Sequence, residues 1–221
     1  MIHDERSARQ WVETLASSKE AMERLDYFCE LLIDECRRQS LVSAKGLEHL
    51  WQRHIADSAQ LLPIARSLGA SGSWLDIGAG AGFPGLILAI LDPARQFLLS
   101  ESRPKRAMWL QTSASSLGLG NVLVAGDARR FAPAAKFAVI SARAVGNMPS
   151  ILALGEPFST PETLWLLPKG RSAAGELEAL ANAQSSLFHV KQSLTDPDAG
   201  IIVGSMTRSI NSGAQKAETS C

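Results

Sequence analysis

The sequence predicts an α/β protein: a mostly parallel sheet covered on both faces by helices and preceded by a helical extension. Three observations predict it. Apolar side chains recur at helical spacing through the first 65 residues. From residue 73 onward, short apolar runs alternate with helical stretches, the pattern of a sheet whose strands are joined by crossover helices. The first of those runs breaks into a glycine-rich turn, as the first strand of an open parallel sheet does where it meets a ligand. The chain has 221 residues, enough for one domain of roughly 100–200 residues and an appendage. The boundaries read as a helical extension over 1–65, a cofactor-binding sheet domain over 66–208 and a polar, loose tail over 209–221.

Asp4 is placed to cap a short helix that carries Trp11 and Leu15. Met22, Leu25, Cys29, Leu32 and Cys36 recur at spacings of three and four, a second amphipathic helix ending near Arg38. Leu47, Leu50, His54, Ser58 and Leu61 mark a third, which Pro63 is expected to close. On that helix Arg53 and Asp57 stand four apart and are placed to pair. Seven strands follow: Ser73–Ile77, Gln96–Glu101, Asn121–Ala125, Phe137–Ala142, Thr163–Leu167, Leu187–Val190 and Ile201–Met206. Leu86–Leu91, Lys105–Leu117 and Ala173–Ala183 read as helices, with a helical turn at Ile151–Leu154. Trp74 and Trp165 fall in strands and read as core, whereas Trp51 and Trp109 adjoin candidate binding surfaces.

Composition narrows the function classes. With 46% apolar and 20% charged residues the chain is neither disordered nor a coiled coil. Basic and acidic side chains balance at 22 each, so any RNA contact must come from a local patch rather than from bulk charge. Residues 100–145 offer such a patch: Arg103, Lys105, Arg106, Arg129, Arg130, Lys136 and Arg143 are opposed only by Glu101 and Asp127. A solvated face is the plain alternative. The start of the chain lacks an apolar signal core, and the run Leu86–Leu91 falls far short of the roughly 20 residues that span a bilayer. Cys29 and Cys36 would lie about 10 Å apart along one helix, too far for a disulfide. These features lead us to expect a reduced, cytoplasmic protein with no membrane partner. Nothing resembles a heptad, so a monomer is expected, and the four histidines lack metal-ligand spacing, so no metal is expected.

The most informative stretch is Trp74-Leu75-Asp76-Ile77-Gly78-Ala79-Gly80-Ala81-Gly82-Phe83-Pro84-Gly85. Glycines after a buried strand allow a tight turn and close approach of a ligand to the backbone. Gly80-x-Gly82-x-x-Gly85 matches the dinucleotide fingerprint, and Glu101 follows about 20 residues later, where a ribose-binding acid belongs. Against a dinucleotide, Asp76 ends the first strand beside the place a pyrophosphate would occupy, and would repel it. The same acid suits the ammonium group of S-adenosyl-L-methionine, and Glu101 suits its ribose hydroxyls. Asp76, Gly78, Gly80, Gly82 and Glu101 are therefore candidate cofactor residues. The plain structural alternative is that Asp76 caps the turn and Glu101 is a solvated strand end.

With these residues in place, the chain resembles the small-subunit ribosomal RNA guanine-N7 methyltransferases, the glucose-inhibited division protein B family, from about residue 22 to 205. The resemblance rests on Leu41-Val42-Ser43, Arg53-His54-Ile55-Ala56-Asp57-Ser58, the turn Asp76 to Gly85, Glu101-Ser102 with Lys105-Arg106 and Leu110, Arg143-Ala144, and Lys169-Gly170. It implies a class I, Rossmann-like methyltransferase fold with a seven-stranded, mostly parallel sheet. It also implies transfer of a methyl group from S-adenosyl-L-methionine to N7 of a single guanine, conventionally guanine 527, in 16S rRNA of the small ribosomal subunit. By position, the family's cofactor contacts fall on Gly78, Phe83, Ala128, Arg129 and Arg143, and Arg53 or His54 would face RNA near the cofactor mouth. Two positions depart from the family pattern: Ser40 stands where asparagine is common, and Arg129 where an acid is.

Guanine N7 carries a lone pair and no proton, so its methylation needs no general base and catalysis reduces largely to alignment. The sequence agrees, because it contains no recognisable nucleophile–base pair. Arg143 follows the fourth strand and is expected to emerge on the ligand side, where an arginine can fork to a phosphate or to the O6 edge of guanine. Lys169, at the end of the fifth strand, is the second candidate for the reacting centre. Lys105 and Arg106 open a sheet helix and are candidates for RNA phosphates. Rival readings are a class I methyltransferase acting on a small molecule or protein, with a closed apolar pocket; a non-catalytic nucleotide- or RNA-binding module; and a dinucleotide oxidoreductase.

Overall fold

The computed structural model describes residues 1–130, 135–180 and 185–207. The extension begins with α1 (Glu5–Glu13), where the Asp4 carboxylate accepts from the Ser7 amide at 2.7 Å and the Ser7 hydroxyl returns to the Asp4 backbone. Ser18 caps α2 (Lys19–Glu35), whose buried stripe of Met22, Leu25, Cys29 and Leu32 faces the sheet domain. The expected third helix is broken instead into α3 (Ala44–Glu48), a π-helical segment over Trp51–Ala56, α4 (Asp57–Ala59) and α5 (Leu61–Ser67). Glu5 holds the start of the π-helical segment, its two carboxylate oxygens accepting from the amides of Trp51 and Gln52 at 2.9 and 2.8 Å. Pro63 does not close the helix. It sits in the first turn of α5, where proline removes no intrahelical hydrogen bond, and the helix runs on to Ser67.

The sheet comprises β1 (Trp74–Ile77), β2 (Phe97–Ser100), β3 (Val122–Ala125), β4 (Val139–Ala142), β5 (Leu164–Lys169), β6 (Phe188–Gln192) and β7 (Gly200–Gly204). Its order is β3-β2-β1-β4-β5-β7-β6, with β7 antiparallel to both neighbours and the first five strands parallel. All seven expected strands are present, and the mostly parallel class is borne out. The chain leaves β1 for β2 on one side and returns to β4 on the other, so the strand order reverses beside β1, where open α/β sheets bind ligands. Register sharpens this: Ile77 lies beside Ser100 and Ala142, so Gly78, Glu101 and Arg143 leave the sheet at one level.

Helices α6 (Gly85–Leu91) and α7 (Pro104–Ser116) cover one face together with the extension, over a core that includes Phe97, Leu99 and Trp74. Every residue of α6 is buried, because it lies between the sheet and the extension, and this explains its unbroken apolar sequence. Helices α8 (Met148–Gly155) and α9 (Ala173–Glu178) cover the other face, over Leu75, Ile77, Ile140, Trp165 and Leu167. The helix expected to reach Ala183 is described as α9 to Glu178; residues 181–183 and the tail 209–221 lie outside the described residues. Among the described residues no helix is long and apolar enough to cross a membrane.

Candidate active site

The glycine turn is wound by backbone angles that favour glycine: φ is 71° at Gly78, 57° at Gly80 and 107° at Gly82. Asp76 braces it from beneath. Its fully buried carboxylate accepts from the Gly85 amide at 2.9 Å and from the Ser141 hydroxyl at 2.7 Å, and that hydroxyl accepts from the Trp74 indole at 2.9 Å. Burial pushes the Asp76 carboxyl up to about 7, against the pull of the Ser141 and Gly85 hydrogen bonds. This geometry matches the structural alternative, in which Asp76 caps the turn, and it offers no exposed oxygen to an ammonium group. Glu101 accepts from the Gly80 amide at 2.9 Å and from the Arg103 amide at 2.8 Å, tying the turn to the end of β2. Each Glu101 oxygen keeps lone-pair capacity for a further donor.

Among the described residues three clefts open at this edge of the sheet, one of them, about 520 Å³, lined by Glu101, Ser102, Pro104, Ala107, Gly126, Asp127 and Arg130. Of the other two, the first, about 340 Å³, is lined by Ile77, Gly78, Ser100, Ser102, Asp127, Ala128, Arg129, Val145, Ser150 and Leu154. A Cβ at Gly78 would lie 2.5 Å from the Val145 side chain, so Gly78 lets Val145 pack directly on the turn in the wall of this cleft. Ala128 is buried in its wall, whereas the Arg129 guanidinium is turned onto Asp127, with contacts of 2.6–3.1 Å that hold the Asp127 carboxyl down at about 2. The second cleft, about 590 Å³, is lined by Lys45, His49, Gln52, Arg53, Asp57, Arg143, Lys169, Arg171, Thr195 and Asp196 among others. The loop after β4 borders both: Val145 lines the first and Arg143 the second. Within that loop Ala144 adopts φ 58°, an uncommon angle for a residue with a Cβ and a mark of local strain.

Arg143 emerges on the ligand side, as its position after β4 led us to expect. Its Nη1 donates to Asp57 Oδ2 at 3.3 Å and to the Arg53 carbonyl at 3.4 Å; its Nη2 lies 3.1 Å from His54 Nδ1. The guanidinium carbon stands 5.0 Å from the Phe83 ring centre, and the His54 ring stacks on Phe83 at 4.9 Å. Phe28 of α2 packs edge-on against Phe83 at 5.6 Å. Trp109, expected near a binding surface, is instead buried in the wall of the turn and donates to the Ala81 carbonyl at 3.1 Å. Burial, with Arg143 and then Arg53 adding repulsion, pushes the His54 imidazole down to about 3, so it is neutral at physiological pH. The pairing of Arg53 with Asp57 expected from their spacing does not form; Asp57 pairs with Arg143.

Lys169 is buried at the end of β5. Its ammonium donates to the Gly146 carbonyl and lies 2.8 Å from Glu176 Oε2 of α9, which fastens the loop after β4. Arg106 donates to the Ser40 carbonyl at 3.2 Å and borders Gly80, while Lys105 is exposed beside it on α7. Sequence reasoning missed Asp57 as the partner of Arg143. It also missed Thr195 and Gln60, which donate to Asp57 Oδ1, and the cleft cations Lys45 and Arg171. No local spacing announces these contacts, because Thr195 meets Asp57 from 138 residues away.

Comparison with known proteins agrees with this architecture. The family model described as rRNA small subunit methyltransferase G (GidB) matches residues 21–199. The chain is 48% identical over 198 residues to the ribosomal RNA small subunit methyltransferase G of Novosphingobium aromaticivorans, covering 89% of this chain and 86% of that one. It is 46% identical over 205 residues to the protein of the same name from Erythrobacter litoralis, covering 92% and 97%. Among solved structures, a putative O-methyltransferase from Klebsiella pneumoniae superposes with a TM-score of 0.54 at 16% identity, over 83% of this chain and 90% of that one. A mutant of MtNAS in complex with S-adenosylmethionine gives 0.54 at 16% identity, over 92% and 78%. These two likenesses establish the fold, a class I Rossmann-like methyltransferase. The matched span and the level of identity establish the family: the chain belongs to the rRNA small subunit methyltransferase G (GidB) family.

Proposed function

We propose that the protein transfers a methyl group from S-adenosyl-L-methionine to N7 of a single guanine, conventionally guanine 527, in 16S rRNA of the small ribosomal subunit. The observation that carries this reading is the adjacency of two unlike clefts, one a glycine-walled slot and the other rimmed by cations, with Arg143 at their boundary.

The first cleft suits the adenosyl part of the cofactor. It lies beyond the carboxyl ends of β1, β2 and β4, and its size is within the range of small-molecule sites. Gly78 packs without a side chain against Val145, and Val145, Ala128 and Leu154 give apolar walls. Glu101, held by Gly80 and Arg103, lines the neighbouring cleft that shares Ser102 and Asp127 with the first, and retains lone pairs for ribose hydroxyls. Gly80 and Gly82 shape the turn, Asp76 keeps it in place, and Phe83 closes it toward Arg143. Arg129 contributes backbone at the rim while its side chain serves Asp127. When bound, S-adenosyl-L-methionine supplies an electrophilic methyl on a sulfonium.

The second cleft suits RNA. Lys45 and Arg53 stand on its rim without an acidic partner among the described residues, beside Arg171 and Arg143, which are paired with Asp198 and Asp57. Arg106 donates to the Ser40 carbonyl, four residues before α3, and the exposed Lys105 precedes it on α7, a second pair of cations for RNA phosphates. A purine must leave its stack to reach a recessed centre. Arg143 then orients it through O6 or a flanking phosphate, with N7 left free to attack. Lys169 acts behind Arg143 by holding the Gly146 carbonyl. No side chain needs to remove a proton, and the carboxylate beside Arg143, that of Asp57, is engaged by Arg143, Thr195 and Gln60. A methyltransferase for small molecules would be expected to close an apolar pocket at this place, and the charged lining disfavours that rival.

The test is transfer of labelled methyl groups to small ribosomal subunits from cells that lack this enzyme. Label in 16S rRNA is expected; label confined to ribosomal proteins, or none despite measured cofactor binding, would overturn the reading.

A further inference from the structure

His54 Nε2 is a buried nitrogen with no hydrogen-bond partner. It faces Gly46 of the extension: a Cβ there would lie 2.8 Å from Nε2. The other ring nitrogen, Nδ1, is 3.1 Å from Arg143 Nη2. A guanidinium is only a donor, so Nδ1 must be the acceptor and the imidazole proton must sit on Nε2, where nothing receives it. An unsatisfied buried donor is destabilising. The contact with Arg143 is what the ring gains in exchange.

We infer that His54 is a positioning residue for Arg143 rather than an RNA contact: its Nδ1 lone pair gives the guanidinium an uncharged acceptor, while its ring holds Phe83 in the stack. Three acceptors thereby fix Arg143, namely His54 Nδ1, the Arg53 carbonyl and Asp57 Oδ2. All three come from the π-helical segment or the residue that follows it, a use of π-helical backbone common at functional sites. Only one of the three carries a charge, so the cation keeps its pull on a ligand. Among the described residues no acceptor meets its Nε–H or second Nη2 hydrogen, which leaves both for a ligand. A histidine that faced RNA would instead expose Nε2, and here that nitrogen is sealed against Gly46.

The inference rests on the methyltransferase reading only for its kinetic test, so two measurements are paired. Nitrogen-15 NMR of the histidine-labelled protein at pH 7 is expected to show His54 as the Nε2–H tautomer, with an Nδ1 signal that moves when Arg143→Gln is introduced. The Nδ1–H tautomer, or an imidazolium, overturns the inference whatever the enzyme methylates. In single-turnover methylation, His54→Phe keeps the ring but removes the acceptor, and is expected to lower the transfer rate 10–100-fold with cofactor Kd unchanged within twofold. His54→Asn restores an acceptor near the Nδ1 position and is expected to recover at least a third of the lost logarithmic rate. Equal loss in both variants, or a loss appearing only as weaker RNA binding, contradicts positioning. If the wild-type protein methylates no RNA, the function fails while the tautomer result still decides the contact.

Discussion

Arg143 Nη1 lies 3.3 Å from Asp57 Oδ2, joining the exit of β4 to the helical extension across 86 residues of sequence. Asp57 also accepts from Thr195 and Gln60 through Oδ1, so one carboxylate ties the extension to the loop between β6 and β7 and to the candidate active site. Replacing Asp57 by asparagine keeps an oxygen for Thr195 and Gln60 but turns an amide donor toward Arg143. The pair is about one-fifth exposed, so the expected destabilisation is about 1–3 kcal/mol rather than the larger figure of a sealed pair. Methyl transfer is expected to fall at least tenfold. Urea unfolding and single-turnover rates check both, and an unchanged rate would remove Asp57 from the account.

Gly78 combines φ 71° with a Cβ position 2.5 Å from Val145. Gly78→Ala is therefore expected to narrow the glycine-walled cleft and weaken S-adenosyl-L-methionine binding at least tenfold in calorimetry. The strain of the left-handed angle adds about 1–2 kcal/mol of destabilisation. Native-like far-ultraviolet circular dichroism with wild-type affinity would contradict the assignment of this cleft to the cofactor.

The cationic rim makes a salt prediction. Removing one cation that neutralises a phosphate of single-stranded RNA lowers the slope of log K against log salt by about 0.7. Arg53→Ala and Lys45→Ala are each expected to produce that change in affinity for small subunits, while cofactor affinity stays constant. Identical salt slopes in wild type and both variants would mean that RNA does not enter over this rim.

Stability should carry the signature of His54. Burial and the neighbouring Arg143 hold its imidazole at about 3 in the folded protein, against about 6.5 in an unfolded chain. The unfolded state therefore binds the proton first, and the contribution of this group is lost as pH falls from about 6.5 toward 3, with a limiting slope of about 1.4 kcal/mol per pH unit. Above about 6.5 it is constant. The difference in unfolding free energy between wild type and His54→Phe, measured from pH 4 to pH 8, should follow that shape. A difference independent of pH would show that His54 titrates normally.

Much of the fold was legible because the buried strands are short apolar runs bounded by glycine, proline or polar residues, and all seven were found in order. The glycine turn was legible because its backbone angles require glycine at fixed offsets, as at Gly78, Gly80 and Gly82, with Glu101 meeting the Gly80 amide. The site was not legible where backbone departs from the usual period. The third helical pattern assumed one regular helix, but the segment at Trp51–Ala56 is π-helical, and Asp57 is met by Arg143 and Thr195 from distant parts of the chain. The predicted pair of Arg53 with Asp57 gave way to Asp57 with Arg143. Asp76 illustrates a second limit: a carboxylate after a strand reads equally well as a ligand group or as a cap, and only its complete burial under Gly85 and Ser141 separates the two.

The measurement that reaches the central claim most directly is mapping the methylated atom. Small subunits treated with the enzyme and S-adenosyl-L-methionine would be subjected to the reduction and strand cleavage specific for N7-methylguanine. One new cleavage in 16S rRNA is expected, lost in Arg143→Ala. Methyl label in 16S rRNA without any such cleavage would place the methyl group on another atom and contradict the base-free N7 mechanism.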